Sequence, residues 1–204
     1  MTDTEGVVFV VDDDPSVRRS LTRLIKSAGF TVESFASAPE FLEHPRPDMP
    51  GCLVLDINMP KVSGLELQDE IARAGLNLPI IFLTGYGTVP ASVRAMKAGA
   101  VDFLEKPVND NTLLDVIQQA VERNRRARLE QAEVRKIRRR VESLSPRERQ
   151  VFGLLITGML NKQIAAELGI AEKTIKVHRA RVMEKMQAGS IAELVRLAAA
   201  LGIR

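Results

Sequence analysis

Five short apolar runs of strand character alternate with stretches of helical spacing between residues 7 and 121. They are VVFVV (7–11), TVESF (31–35), CLVL (52–55), IIFL (80–83) and VDFL (101–104). In the first stretch between them, Val17, Leu21, Leu24, Ile25 and Ala28 share one helical face, and Gly29 stands where the helix should stop. Strands that each feed a helix require right-handed crossovers, and these produce a parallel sheet covered on both faces. The expected class is α/β: a doubly wound, five-stranded parallel sheet. Ligands of such sheets lie beyond the carboxyl ends of the strands, where the strand order reverses.

Acids collect at that rim. The third run continues as LVLDINMP, placing Asp56 at the strand end before the bend expected at Met59-Pro60, and Asp12, Asp13 and Asp14 follow the first run. Thr84 ends the fourth run in FLTG, and Lys106 follows the fifth in FLEKP. Singly, each has a plainer reading: an acid before Pro15 caps a helix, and a loop lysine is a solvated charge. Together they form an anionic crevice. Carboxylates so crowded repel unless a cation joins them, and hard oxygen donors suit Mg2+. In such a crevice Asp56 can act as an oxygen nucleophile toward a phosphoryl group, with Lys106 stabilising the non-bridging oxygens.

The rest of the chain has another character. Residues 1–121 carry 10 Lys and Arg against 17 Asp and Glu, a net charge of −7, whereas residues 122–204 carry 19 against 9, a net of +10. An acidic half joined to a basic half implies two domains with different partners, the basic one facing a polyanion. No Gly or Pro occurs from Asn111 to Ser143, and Leu113, Val116, Ala120, Ala127, Val134, Ile137, Val141 and Leu144 fall on one alternating 3/4 register that Arg123 and Glu130 interrupt. A single helix there would be roughly 45–50 Å long. Its seam could pair with a second copy, or the stretch, with RNRRAR (123–128) and RKIRRR (135–140), could be a solvated charged helix or a broken, flexible linker. Ser145-Pro146-Arg147-Glu148 is a helix start with a capping box, and Ser190-Ile191-Ala192-Glu193 repeats it. Between them a short helix over about 161–168, a turn at Gly169 and a longer helix over about 172–186 outline a helix-turn-helix. The expected domains are 1–121, a helical linker at 122–143, and an all-α, four-helix domain at 144–204.

Other classes recede. Cys52 is the only cysteine, which leaves no intrachain disulfide or cysteine-rich zinc site. No apolar stretch approaches a membrane span, and MTDTEG at the N-terminus lacks the apolar segment of a secretory signal. A cytoplasmic location is expected.

The stretches VVDDDPSVR, LVLDINMPKVSGLEL, LTG and AMKAGAVDFLEKP resemble the flavodoxin-like receiver domain of two-component response regulators. LSPRERQVFGLLITGMLNKQIAAELGIAEKTIKVHRARVMEKM and SIAELVRLA resemble the LuxR-type helix-turn-helix of the NarL/FixJ class. The resemblance implies that Asp56 accepts phosphate from a cognate sensor histidine kinase. It implies that Asp12, Asp13, Asp56 and the backbone carbonyl of Asn58 hold Mg2+. Thr84 would be the switch hydroxyl, Phe103 the switch aromatic, Lys106 the conserved-type lysine, and Pro107 would follow a cis peptide bond. Tyr86 and Thr88, in GYGTVP (85–90), lie close to that switch.

In the longer helix Ile175, Val182 and Met186 share the inward face, while Lys173, Val177, Ala180 and Glu184 lie opposite, with Lys176 on the flank. That outer face would enter the major groove. The resemblance places base contacts at Lys176, Val177 and position 180, where Ala180 offers only an apolar contact. Asn161, Lys162, Thr174, Arg179 and Arg181 are candidates for phosphate contacts, and His178 is expected to be packed or locally bonded. Ala171, at the expected cap, lacks the hydroxyl or carboxylate usual there. The whole reads as a phosphorylation-dependent DNA-binding transcriptional regulator: a homodimer when phosphorylated, acting on double-stranded promoter DNA and on RNA polymerase. An enzyme is the alternative, a phosphohydrolase using Asp56 as a transient nucleophile. It would need a general acid at position 58, which is Asn, and a cap domain for which the chain has no room.

Overall fold

The computed structural model describes residues 6–45, 47–85 and 89–203. Tyr86 and Thr88 therefore lie outside the described residues. The chain divides into two compact units, Met1–Arg128 and Leu129–Arg204. The first contains strands β1 (Val7–Val11), β2 (Thr31–Phe35), β3 (Gly51–Asp56), β4 (Ile80–Thr84) and β5 (Asp102–Glu105). Helices α1 (Pro15–Ser27), α2 (Ala38–Glu43), α3 (Gly64–Arg73) and α4 (Val89–Lys97) connect them, and α5 (Asp110–Glu142) follows β5. All neighbouring strands are parallel, in the order β2-β1-β3-β4-β5. The expected doubly wound α/β fold is present, and β1 and β3 are neighbours.

Strand alternation divides the apolar side chains between two cores. Val7, Phe9, Val11, Leu53, Leu55, Ile80 and Phe82 meet Phe41 of α2, Leu67 and Ile71 of α3, and Ala95 of α4. Val8, Val10, Cys52, Val54, Ile81 and Leu83 meet Leu21 and Ile25 of α1 and Leu113, Ile117 and Ala120 of α5. The strands run further than their apolar runs. Asp56 and Thr84 are themselves the last strand residues, because the parallel ladder continues through the pairs Asp56–Leu83 and Thr84–Glu105.

The second unit is helical: α6 (Pro146–Ile156), α7 (Asn161–Leu168), α8 (Glu172–Met186) and α9 (Ile191–Ala200), with Gly169 in the left-handed region between α7 and α8. Its core joins Val151, Phe152, Leu155, Ile164, Ile175, Val182, Met186 and Leu194 to Ile137 and Leu144. The 3/4 register of residues 113–144 therefore serves two cores. Leu113 and Ala120 are buried in the first unit, Ile137 and Leu144 in the second, and Leu129 between them is exposed. No helix among the described residues is long and apolar enough to cross a membrane.

Ser145 and Glu148 form the reciprocal capping box of α6. At α9 only half of the second box forms: Ser190 Oγ accepts from the Glu193 N–H, while the Glu193 carboxylate accepts from the Gly189 N–H. Ala171 takes the N-cap position of α8 with cap-like backbone angles and no side-chain bond. Ala171→Ser should therefore stabilise the second unit by about 1 kcal/mol. A urea midpoint that does not rise would contradict this.

Glu148 also accepts from Lys185 Nζ at 2.7 Å, and that ammonium donates to the Ser143 carbonyl at 3.1 Å. The bond from Lys185, followed by that from the Ser145 N–H, lowers the Glu148 carboxyl from 4.5 to about 2. A carboxyl lowered on folding contributes stability above its unfolded value and loses it as pH falls through its folded value. The second unit should thus lose stability from about 4.5 down to about 2. Glu148→Gln should flatten the dependence of urea midpoint on pH across that window; an unaltered slope would count against the Lys185 pairing.

Candidate functional site

The carboxyl ends of β1 and β3 bring Asp12 and Asp56 together, both buried. Lys106 Nζ donates to Asp12 Oδ2 at 2.7 Å and to Asp56 Oδ1 at 2.9 Å. Asp12 is held further: its Oδ1 accepts the Asp14 N–H at 2.9 Å, and its carbonyl accepts from Arg18 Nη1 at 2.6 Å. The three consecutive acids thus divide their work. Asp14 caps α1 through the Ser16 and Val17 N–H groups, Asp12 turns into the crevice, and Asp13 is exposed.

Electrostatics oppose a fully ionised crevice. Burial raises the Asp56 carboxyl above the usual carboxylate range, against the pull of Lys106, and the charges of Asp12 and Asp13 raise it further. Burial alone would lower Lys106, but its bonds to Asp12 and Asp56 outweigh that and hold it above the usual lysine value. Lys106 and the Arg18 guanidinium together face Asp12, Asp13 and Asp56, two cations against three acids, so negative charge remains in excess. Among the described residues no three His, Cys, Asp or Glu side chains are gathered as a ready metal cage. Asp12 and Asp56 are drawn onto the ammonium, and the fourth expected donor, at the exposed Asn58, is a backbone carbonyl.

Thr84 is buried at the end of β4, and its carbonyl accepts the Lys106 N–H at 2.7 Å, tying β4 to the lysine-bearing turn. The peptide bond between Lys106 and Pro107 is cis. Phe103 is half-buried and meets Phe82 with ring centroids 6.3 Å apart. After Asp56 the chain turns through buried Met59 and through Lys61, whose φ is 69°. It returns at Gly64, whose N–H donates to the Ile57 carbonyl at 2.9 Å. A Cβ on Gly64 would stand 2.3 Å from the Asp56 carbonyl oxygen, so only glycine fits beneath the acid's own backbone.

In the second unit Ile175, Val182 and Met186 of α8 are fully buried, and Lys173, Val177, Ala180 and Glu184 are exposed on the other side. Lys162, Thr174, Lys176 and Arg181 are also exposed, and Lys176 pairs with Glu172 at 3.4 Å. Asn161 and Arg179 are half-buried and joined, Arg179 Nη1 donating to Asn161 Oδ1 at 3.1 Å. His178 is half-buried, with Nδ1 enclosed and without a partner among the described residues. Sequence reasoning missed both the Asn161–Arg179 bond and the anchoring of Asp12 by Arg18, since neither belongs to a periodic pattern.

An acid crevice at the switch point of a doubly wound sheet, in one chain with an exposed basic helix of a helix-turn-helix, defines a two-domain signalling regulator. The response regulator receiver domain family matches residues 8–118, and the bacterial regulatory proteins of the luxR family match residues 142–198. The chain belongs to the response regulators of the NarL/FixJ class, whose members are transcriptional regulators. It is 52% identical over 200 residues to nodulation protein W of Bradyrhizobium diazoefficiens, covering 98% of this chain and 88% of that protein. To the transcriptional regulatory protein FixJ of the same organism it is 47% identical over 200 residues, covering 98% of each. The solved structure of the response regulator StyR is similar with a TM-score of 0.88 and 49% identity, over 96% of this chain and 98% of that one.

Proposed function

We propose that Asp56 is the phosphoacceptor of a phosphorylation-dependent, DNA-binding transcriptional regulator acting in the cytoplasm. The single observation that carries this reading is the buried Asp56 beside Asp12, both bonded to Lys106 Nζ. An Asp56 oxygen attacks the phosphorus of a phosphohistidine on a partner kinase. A P–O bond forms as the P–N bond breaks, and the leaving imidazole keeps the electron pair and takes up a proton. Lys106, already between the acids, shifts onto the new phosphoryl oxygens, and the Thr84 hydroxyl donates to another. Asp12, Asp13, Asp56 and the Asn58 carbonyl suit Mg2+ by their hard oxygens and their excess negative charge; that ion would supply charge neutralisation for the incoming phosphoryl group.

Phe103 then follows Thr84 inward and alters the face formed by α4 and β5. That face bears Val89, Val93 and Met96, 75%, 46% and 45% exposed, on one side of α4. An apolar stripe of this kind supports dimerisation of phosphorylated receivers, which would bring two helix-turn-helix units to paired half-sites. On the DNA, Lys176, Val177 and Ala180 would read base edges, while Asn161, Lys162, Lys173, Thr174, Arg179 and Arg181 would hold phosphates. RNA polymerase would be the further partner at the promoter.

Selection of bound duplexes from random sequence, with and without an acyl phosphate donor and Mg2+, tests the reading. Paired half-sites should be enriched strongly only with the donor. Equal enrichment without it, or none in either arm, would refute the reading.

A further inference from the structure

β1 hands the chain to α1 through Asp12, Asp13 and Asp14, and the ladders on both sides of β1 end at Val11. The Asp12 carbonyl therefore lies outside the sheet, and its donor stands six residues ahead: Arg18 Nη1, at 2.6 Å. Arg18 is on the first turn of α1, where its own N–H donates to the Asp14 carbonyl at 3.0 Å. Asp14 closes the circuit, its N–H on Asp12 Oδ1 at 2.9 Å and its carboxylate on the Ser16 and Val17 N–H groups. The target of Arg18 is particular. The Asp12 carbonyl belongs to the planar peptide joining Asp12 to Asp13, so pinning its oxygen fixes the plane from which both side chains leave. Asp13 depends on this most, since its exposed side chain accepts no hydrogen bond from the described residues. Asp12 depends on it too. Lys106 Nζ holds its Oδ2 at 2.7 Å but also serves Asp56, and in the reading above it shifts onto the phosphoryl oxygens. The bonds from Asp14 and Arg18 then remain to aim Asp12. Charge does not account for Arg18, because a guanidinium beside the crevice repels the divalent ion that the acids would hold. Its reach does.

We propose that Arg18 is a positioning residue for the divalent cation of the phosphoacceptor crevice. By clamping the Asp12–Asp13 peptide it holds two hard-oxygen donors in one arrangement, and it acts only through them. This rests on the reading of the crevice as a Mg2+ site. Groups that orient metal-binding side chains from behind commonly change affinity about tenfold to a hundredfold when removed.

The test measures ion binding to the full chain before any phosphoryl donor is added. Mn2+ is the probe, its free ion read by electron paramagnetic resonance, and Mg2+ is then titrated against it. Asp12→Asn should lose the bound ion, which locates it in the crevice. Arg18→Met should weaken both ions about tenfold to a hundredfold, although it takes a positive charge away from them. Arg19→Met removes the same charge from the exposed neighbour, which donates to Ser16 Oγ, and should leave affinity unchanged or slightly higher. Arg18→Gln, a good helix former too short to reach the Asp12 carbonyl, guards against failure of Arg18→Met to fold and should show the same loss. With an acyl phosphate added, labelling of Arg18→Met should need correspondingly more Mg2+ and approach the wild-type rate as Mg2+ is raised. Arg18 variants that bind the ions as tightly as the wild type, or more tightly, overturn the proposal. So do an equal loss in Arg19→Met, an ion retained in Asp12→Asn, and a labelling defect that Mg2+ does not relieve, which would mark a structural role. A wild type that binds neither ion defeats the Mg2+ reading and this proposal together, whereas one that binds both and is never labelled defeats the reading of Asp56 alone.

Discussion

Asp56→Asn should fold normally and fail to respond to any phosphoryl donor. The amide is close in shape to the carboxylate but is not a nucleophile toward phosphorus, so the covalent step is lost rather than slowed. Asp56 is buried beside Asp12 and is raised above the usual carboxylate range, so its ionised form costs stability at neutral pH. Removing that charge should leave the urea midpoint of the first unit equal to or above that of the wild type. The functional loss should be the entire donor-dependent gain in dimerisation and operator affinity, commonly about 5–150-fold in coupled systems. Sedimentation and operator titration with and without donor measure both. A variant that still dimerises on addition of donor would place the switch elsewhere.

Gly64→Ala should damage the same site from beneath. The added methyl would meet the Asp56 carbonyl oxygen at 2.3 Å, the Ile57 Cα at 3.0 Å and the Asp56 carbonyl carbon at 3.1 Å. All three are backbone atoms of the segment that carries the acceptor, so no side chain can swing away to make room. Overpacking of this kind costs about 1–3 kcal/mol, and the relief available is displacement of Asp56 itself. Loss of stability and a steep fall in phosphoryl acceptance are therefore expected together. Gly153 in α6 provides the contrast, since a Cβ there meets nothing within 4 Å. Gly153→Ala should stabilise the second unit by about 0.5–1 kcal/mol through helix propensity. Denaturation curves of the two variants should shift in opposite directions, and donor labelling should fall in Gly64→Ala alone; a Gly64→Ala chain that labels normally would show that the crevice tolerates movement of its floor.

Much of this architecture was legible in the sequence because it is written in periods and punctuation. Alternating runs identified the strands of the sheet, and Ser145, Glu148 and Gly169 marked the boundaries of helices in the second unit. The acids gathered at the crevice because strand ends in a parallel sheet share one rim, so placing the strands placed Asp12, Asp56 and Thr84. What escaped depends on single long-range contacts. Asn124 lies in a polar stretch with nothing to distinguish it from solvated neighbours, yet it is among the buried polar side chains of the first unit. The regular register from Leu113 to Leu144 shows that one helical face is covered without showing by what. In the folded chain two separate cores cover it in turn. The Asn161–Arg179 bond likewise joins two of the candidate phosphate contacts, a pairing that no charge pattern could disclose.

Everything in the functional account depends on the β3 carboxylate receiving a phosphoryl group. The most direct measurement is peptide mass mapping of the full chain after brief exposure to an acyl phosphate and Mg2+, with acyl phosphates trapped by borohydride reduction. The account requires one modification, on the peptide containing Asp56, absent from Asp56→Asn and diminished in Gly64→Ala. An unmodified Asp56 under saturating donor, or a label that persists in Asp56→Asn, would contradict it.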